Sequence, residues 1–468
     1  MTAVVVGGGI SGILSALLLR QRHESVLLVE KSPELGGLLR SERHQLGVPF
    51  DLGTHIISST ANQALDAMVL GFPEIQTEWN RYDRLKAGNY LFGRLNADSP
   101  CLDANTLPPH VFSQGLVELL SITQPPAPAD DLKAYLEGMY GPTLSRHLFE
   151  PIIQKILDRS LSDLDPRAHE LFISKRIMLL TPQASRELKT STIFDEKIAF
   201  HSYQEGASGL NYYYPKSGGI GRWIELLTGS LREHSIEVVT GATVSAVEMG
   251  ERDIRSLTLS NGRKLNCSEL VWTLPPALLM TLCGLAPVQP LPPGDLRRTQ
   301  IFHFIFDRPF ESDLFYVTCY EPSLLTYRVT LYPNIRDGRA VRAPFNCTVE
   351  VISSPTADIA DLPDRLVEEL KQMGLVNEQA NLLFSQSSGL WHGFPVLSKR
   401  LVEQMRYQRD VLQAALDNVL FLGRSKGEGF FMKDVLLETF ETLAPQQLES
   451  VVARSDSMST APGARKVN

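Results

Sequence analysis

A β-branched run that stops abruptly in glycines leaves a chain few options, and this chain opens that way. Val4-Val5-Val6-Gly7-Gly8-Gly9-Ile10-Ser11-Gly12 puts four glycines into six positions behind a short apolar strand. Inside a regular element each glycine costs roughly 0.5–1 kcal/mol relative to alanine, so the cluster marks a place where bare main chain must meet something. Residues 3–6 have the composition of a strand buried on both faces. Residues 10–20, dominated by Ala and Leu, are predicted to be helical, and residues 25–29 to be a second buried strand ending on Glu30. Strand, glycine turn, helix, strand and acid follow in the order of a parallel βαβ unit, which sets the fold class as α/β.

In that setting Gly7-x-Gly9-x-x-Gly12 has a mechanical meaning. Gly7 permits the tight turn, Gly9 lets main chain approach a pyrophosphate, and Gly12 lets helix and strand pack closely. The helix start at Ile10 and Ser11 offers unpaired N–H groups and a positive dipole end to phosphates. Glu30, 18 residues beyond Gly12, is placed to accept ribose hydroxyl protons, and an acid there disfavours a 2′-phosphate. These features predict a dinucleotide site.

Composition narrows the remaining classes. At 468 residues the chain exceeds one ordinary core, which predicts two or three domains. A net charge of −8 with 43% hydrophobic and 21% charged residues describes a soluble globular protein and gives no reason to expect nucleic acid as a partner. The five cysteines, Cys101, Cys267, Cys283, Cys319 and Cys347, form no C-x-x-C pair. That argues against a disulfide framework and a metal site, and a reducing, cytoplasmic location is expected. No secretory signal precedes the first strand, and the longest apolar run, 3–19, is broken by glycines, so no transmembrane anchor is expected.

The segment after Glu30 separates one dinucleotide from another. Lys31-Ser32-Pro33-Glu34-Leu35-Gly36-Gly37-Leu38-Leu39-Arg40 carries a second glycine pair. Here the chain resembles the flavoprotein clan of amine oxidases, protoporphyrinogen oxidases and UDP-galactopyranose mutases, which carry E-K-x-x-x-x-G-G-R at this place. Leu38 stands where the clan has Arg, and Arg40 follows two positions later. The resemblance implies FAD, with Lys31, Gly36 and Gly37 joining Glu30 among its contacts. Phe50-Asp51-Leu52-Gly53-Thr54-His55 resembles the clan's F-D-x-G-x-H segment beside the isoalloxazine. It implies close main-chain approach at Gly53 and Thr54, and a hydrogen bond from His55 to flavin or substrate; a packed histidine is the alternative. Residues 141–155 resemble a helical stretch bordering the substrate cavity. There Arg146, His147 and Lys155 are either contacts for an acidic substrate or part of a solvated face.

Two further stretches extend the resemblance over most of residues 1–445. Tyr214-Pro215-Lys216-Ser217-Gly218-Gly219, a helix, a strand at 236–239 and then Thr243-Val244 resemble the clan's return to its FAD domain. That implies main-chain pairing of Val244 with adenine. Residues 270–274, followed by Pro275-Pro276, resemble the strand and turn that close this lobe. Leu422-Gly423-Arg424, with Phe431 just before an apolar helix, resembles the segment that passes the ribityl chain and points a helix start at the flavin pyrimidine edge. Gly423-Arg424 is the galactopyranose mutase form, whereas Gly427-x-Gly429 is that of the protoporphyrinogen oxidases. His55 and Arg424 are the catalytic candidates.

The expected fold is therefore α/β: a Rossmann-type FAD-binding domain, an antiparallel-sheet substrate domain and a helical insertion. Residues 1–60, 205–285 and 390–445 are assigned to the FAD-binding domain. Residues 60–205 are expected to be a mainly helical cap, with Asp130 or Asp131 capping a helix behind a Pro-rich loop. Residues 285–390 are expected to hold an antiparallel sheet with strands at 301–306, 314–320, 326–332 and 346–352, and a helix at 361–374 ending on Gly374. The tail, 446–468, is expected to be disordered. The predicted activity is that of an FAD-dependent oxidoreductase moving hydride from a small-molecule substrate to flavin N5. FAD is held non-covalently, since no Cys or His sits in an anchoring motif. Two alternatives stand beside it. One is a nucleotide-sugar mutase acting on a phosphorylated or nucleotide-linked substrate, with Arg40, Arg146, Lys155, Arg328 and Arg424 as cations for the diphosphate. The other is a flavin-binding protein without chemistry. Tyr203, Tyr212, Tyr213, Tyr214, Tyr327 and Tyr332 either stack on substrate or serve as core and rim aromatics. Oligomeric state is not set by the sequence.

Overall fold

The computed structural model describes residues 2–44, 47–71, 75–205, 209–285, 295–337, 342–354, 362–424 and 429–444. The tail at 446–468 and Gly427 lie outside the described residues.

The opening run forms β1 (Thr2–Val6), α1 (Ile10–Leu19) and β2 (Ser25–Val29). β1 lies at the centre of a five-stranded sheet in the order Glu237–Val239, β2, β1, Glu269–Trp272, Val419–Phe421. Every neighbouring pair is parallel. Successive side chains of β1 therefore feed opposite faces. Ala3 and Val5 pack with Ile13, Leu17, Trp223, Leu227 and Phe440, from α1 and the helices Gly221–Glu233 and Met432–Leu443. Val4 and Val6 pack with Leu257, Leu265, Leu279 and Leu412 on the other side. That side is covered by a three-stranded antiparallel sheet, Val244–Met249, Ile254–Leu259 and Lys264–Asn266, and by the helices Pro276–Leu282 and Lys399–Ala415.

A second sheet of seven strands runs in the order Leu382–Pro395, Leu296–Phe306, Phe345–Ser353, Thr326–Leu331, Tyr316–Cys319, Ala87–Leu91, Arg94–Asn96. It contains the four strands expected from the sequence, but it is mixed, because Tyr316–Cys319 pairs in parallel with Ala87–Leu91. The two strands at 87–96 come from the stretch expected to be mainly helical. They are joined by Phe92 and Gly93, both at positive φ (49° and 74°), a two-residue turn whose twist suits a hairpin. Phe-Gly is not the usual sequence for such a turn, which is why the hairpin went unread. Residues 390–395 pair with the strand Leu296–Phe306, so this part of the stretch assigned to the cofactor lobe lies in the second sheet.

The helices Pro109–Ser121, Leu132–Tyr140 and Glu150–Leu157 enclose a third core around Leu119, Leu136, Tyr140, Phe149 and Ile153. Asp131 is the cap of the middle helix, accepting the Ala134 N–H at 2.9 Å. The helix Leu362–Gln372 ends with Gly374 at positive φ, as its sequence requires. Among the described residues no helix is long and apolar enough to cross a membrane.

Candidate functional site

The three fingerprint glycines turn out to be there for different reasons. Gly7 sits at φ +108°, and a Cβ on it would lie 2.1 Å from the Thr273 hydroxyl, which donates to the Val6 carbonyl at 2.9 Å. A Cβ on Gly12 would lie 1.8 Å from the Gly7 carbonyl oxygen, so the first turn of α1 rests directly on the strand turn. Both glycines serve the protein's own packing. Gly9 has an ordinary φ of −73°, and nothing lies within 4 Å of a Cβ placed there. Its open side gives onto a cavity that Gly9, Ile10 and Ser11 line. No side chain caps α1, so the N–H groups of its first turn remain for a ligand.

Glu30 is buried behind this turn. One carboxylate oxygen accepts the Gly8 N–H at 2.7 Å and the other accepts the Ser32 N–H at 2.8 Å, leaving further lone pairs for hydroxyl donors. Its main chain accepts the Ala242 N–H at 3.1 Å, and Gly241 donates to Ser32 at 3.0 Å. The segment leading into Val244 therefore runs beside Glu30.

The cavity, about 470 Å³, lies between the start of α1 and the seven-stranded sheet. Gly53, Thr54, His55 and Ile56 form one side of it. Gly423 and Arg424 join from the C-terminal loop; Gly423 sits at φ +79°, and a Cβ there would come within 3.1 Å of Ser11. From the sheet come Thr299, Arg328 and Glu350. Arg328 donates from Nε to Glu350 Oε1 at 2.8 Å and from Nη2 to Oε2 at 2.9 Å, a bidentate ion pair. Thr54 adds two hydrogen bonds to the same Oε1, from its N–H at 3.0 Å and its hydroxyl at 3.1 Å. Burial opposes the charge on Glu350, but the Arg328 guanidinium more than offsets this and holds its carboxyl below the ordinary value. His55 Nε2 lies 3.2 Å from the Leu52 carbonyl. Burial pulls its imidazole down to about 4; Glu350 works against this, while Arg328 and Arg424 add to it.

Asp51, two residues before Gly53, is fully buried and ties this segment to its surroundings. Its carboxylate accepts Ser41 Oγ at 2.6 Å, Tyr214 OH at 2.7 Å and the Ile220 N–H at 2.9 Å, while its N–H donates to Tyr332 OH at 3.1 Å. Burial raises its carboxyl to about 6 despite those bonds.

The cavity thus gathers Gly9, Ile10, Ser11, Gly36, Gly53, Thr54, His55, Gly423, Arg424 and Phe431 from the sequence-derived set. Gly7, Gly12, Glu30, Lys31, Gly37 and Val244 are not part of its lining. Of the proposed cations, Arg328 and Arg424 line it. Arg40 Nε donates to the Gly37 carbonyl at 2.9 Å, and Arg146 and His147 are exposed on their helix. Lys155 is a different case. It donates to the carbonyls of Cys319 and Thr326, both at 2.8 Å, and so ties its helix to the second sheet. Of the six tyrosines only Tyr212 lines the cavity; Tyr213, Tyr214, Tyr327 and Tyr332 are buried elsewhere. Sequence reasoning passed over Thr299, Glu350, Asp51 and Lys433. Glu350 had left a signal, as a lone carboxylate in an otherwise uncharged strand needs a buried partner, and Arg328 stands opposite it on the preceding strand.

The model of the family described as flavin containing amine oxidoreductase matches residues 10–368. The chain belongs to that family. It is a flavin-dependent oxidoreductase, and its cofactor is FAD. Among solved structures, reduced UDP-galactopyranose mutase superposes with a TM-score of 0.73 at 17% identity, covering 94% of each chain. A putative protoporphyrinogen oxidase from Exiguobacterium sp. 255-15 gives 0.67 at 17% identity, over 96% of this chain and 98% of its own. At that identity the likeness is one of fold. An uncharacterized protein encoded in the nifH2 3′ region of Methanothermococcus thermolithotrophicus is 38% identical over 82 residues, which is 18% of this chain and 78% of its own length.

The residues of this flavoprotein fit FAD on their own geometry. The unfilled space at Gly9, the uncapped start of α1 and the lone pairs left on Glu30 are the complement of a pyrophosphate and a ribose.

Proposed function

We propose that this flavoprotein oxidises a small organic substrate by hydride transfer, the segments of the parallel sheet holding FAD and the seven-stranded sheet covering the substrate. When bound, FAD supplies the hydride acceptor, N5 of its isoalloxazine. The chain's own residues bind, orient and exclude water. Main-chain N–H groups at Ile10 and Ser11 receive the phosphates, and Glu30 receives ribose hydroxyls. Arg424 lines the cavity with burial opposing its charge. A guanidinium held in that state favours negative charge arriving nearby. His55 is neutral above about pH 4. With Nε2–H assigned as donor to the Leu52 carbonyl, Nδ1 is left to accept a hydrogen bond from the substrate. Leu171, Tyr212, Phe430 and Phe431 line the same space and keep water from it.

Charge balance is the observation that carries this assignment over a mutase. Among the described lining residues, three cations, Arg328, Arg424 and Lys433, face one carboxylate, Glu350. Glu350 neutralises Arg328 through two hydrogen bonds. Arg424 and Lys433 come instead from the loop and helix packed on α1, the element whose start receives the phosphates of the cofactor itself. A substrate diphosphate at the sheet wall would meet the Glu350 carboxylate in place of an open guanidinium edge, and a charge is costly to bury without a partner.

Anaerobic titration of the oxidised holoprotein tests the assignment, with a panel of amines, alcohols and partly saturated ring compounds on one side and UDP-hexoses on the other. The expected result is bleaching of the oxidised flavin by a member of the first group. Turnover of a nucleotide sugar only after prior chemical reduction of the flavin would establish mutase chemistry instead.

A further inference from the structure

Glu350 is 2% exposed, yet its strand forms part of the wall of the cavity. Nothing about the strand requires a carboxylate there, and a buried ion pair is often no more stabilising than apolar residues of similar size. Its position relative to Arg328 is more informative. The Nε and Nη2 edge of a guanidinium is the edge that grips a carboxylate or phosphate in two parallel hydrogen bonds. In this cavity Glu350 already occupies that edge, at 2.8 and 2.9 Å, and is itself fixed by the Thr54 N–H and hydroxyl. An anion arriving at this wall would have to expel Glu350 and leave it buried beside the newcomer.

A second observation on the same wall concerns Thr299. It is 2% exposed and lines the cavity, and its hydroxyl has no hydrogen-bond partner. That oxygen is itself shielded from solvent, so Thr299 brings neither a charge nor an open donor to the cavity surface. The remaining lining cations, Arg424 and Lys433, come from the C-terminal loop and helix packed on α1, not from this wall.

We propose that Glu350 is a specificity-determining residue: an internal counter-ion that fills the bidentate edge of Arg328, so that this wall excludes anionic groups and takes an uncharged end of the substrate. The proposal rests on the hydride-transfer assignment only in taking the occupant to be the substrate. Its test reads ligand binding to oxidised flavin and needs no turnover, so either idea can fail without the other.

The FAD-loaded protein is titrated with sulfate at constant ionic strength, following perturbation of the oxidised-flavin absorbance. Glu350→Gln is expected to bind sulfate at least about tenfold more tightly than the natural protein. The double variant Glu350→Gln with Arg328→Met is expected to lose that gain. Equal sulfate affinity in the natural protein and Glu350→Gln would overturn the proposal, as would a gain that survives removal of Arg328. A second measurement avoids any variant that fails to fold. Benzamide and benzoate, nearly isosteric but differing in charge, are titrated into the natural protein. Tighter binding of benzamide is expected, and equal or tighter binding of benzoate overturns the proposal.

Discussion

Gly9 and Gly12 are the same residue in the same fingerprint, yet their substitution should fail in different ways. A Cβ on Gly12 meets the Gly7 carbonyl at 1.8 Å, so Gly12→Ala must push α1 off β1. The expected outcome is a loss of about 3 kcal/mol or more in denaturant unfolding, from overpacking against main chain that cannot move aside. A Cβ on Gly9 meets no protein atom within 4 Å. Gly9→Val should therefore unfold at the same denaturant concentration as the natural apoprotein and bind FAD at least roughly tenfold more weakly, measured by flavin fluorescence quenching. Normal FAD affinity in the folded Gly9→Val protein would detach the fingerprint from the cofactor. The motif assigned Gly12 to helix–strand packing, which its approach to the Gly7 carbonyl bears out, and Gly9 to a ligand, for which there is room. Only the folded structure separates a glycine needed for packing from one with open space beside it, because the distinction lies in what surrounds a missing Cβ.

At the scale of elements, legibility followed local pattern. β1, α1 and β2 carry their own periodicity and turn chemistry, and the structure bounds them within a residue of the expected positions. The four strands between 296 and 353 were legible for the same reason. The hairpin at 87–96 was not, since its strands are short and their partner, Tyr316–Cys319, lies more than two hundred residues away. Cavity residues split the same way. Those in glycine-rich motifs could be found, whereas Thr299 and Glu350 sit in ordinary strands and acquire their roles only from their neighbours. Lys155 is the clearest case of a role the sequence could not assign. Its helix resembles a cavity-bordering element, but its ammonium joins two carbonyls of the second sheet. Lys155→Met should therefore cost about 2 kcal/mol in unfolding free energy, from two main-chain acceptors left without a donor. FAD affinity and flavin reduction rate should stay unchanged. A selective loss of activity with no loss of stability would return Lys155 to the substrate.

Across the whole molecule the buried ionisable groups combine into a pH dependence whose sign can be worked out. Burial lowers His55, His169 and His303 from 6.5 to about 4. His169 packs against the Tyr135 ring at 5.2 Å and His303 against Phe50 at 4.7 Å, so each is held where an imidazolium has little solvent. Between about pH 4 and 6.5 the unfolded chain binds more protons at these sites than the folded one, so their contribution makes stability fall as pH falls through that window. Asp51 acts in the opposite sense. Its folded value is raised from 3.8 to about 6, so over that range the folded protein takes up its proton first and gains stability as pH falls. Each shift corresponds to on the order of 3 kcal/mol. Three groups against one leave a net loss on acidification, and the melting temperature of the holoprotein should drop between pH 6.5 and 4. His169 lies outside the cavity lining, so its replacement isolates the effect from cofactor binding. His169→Leu should make the slope shallower while leaving flavin affinity at pH 7 as it was. An unchanged slope would mean that the folded protein protonates His169 as easily as the unfolded chain does, and that the space between the helical core and Tyr135 admits more water than its packing indicates.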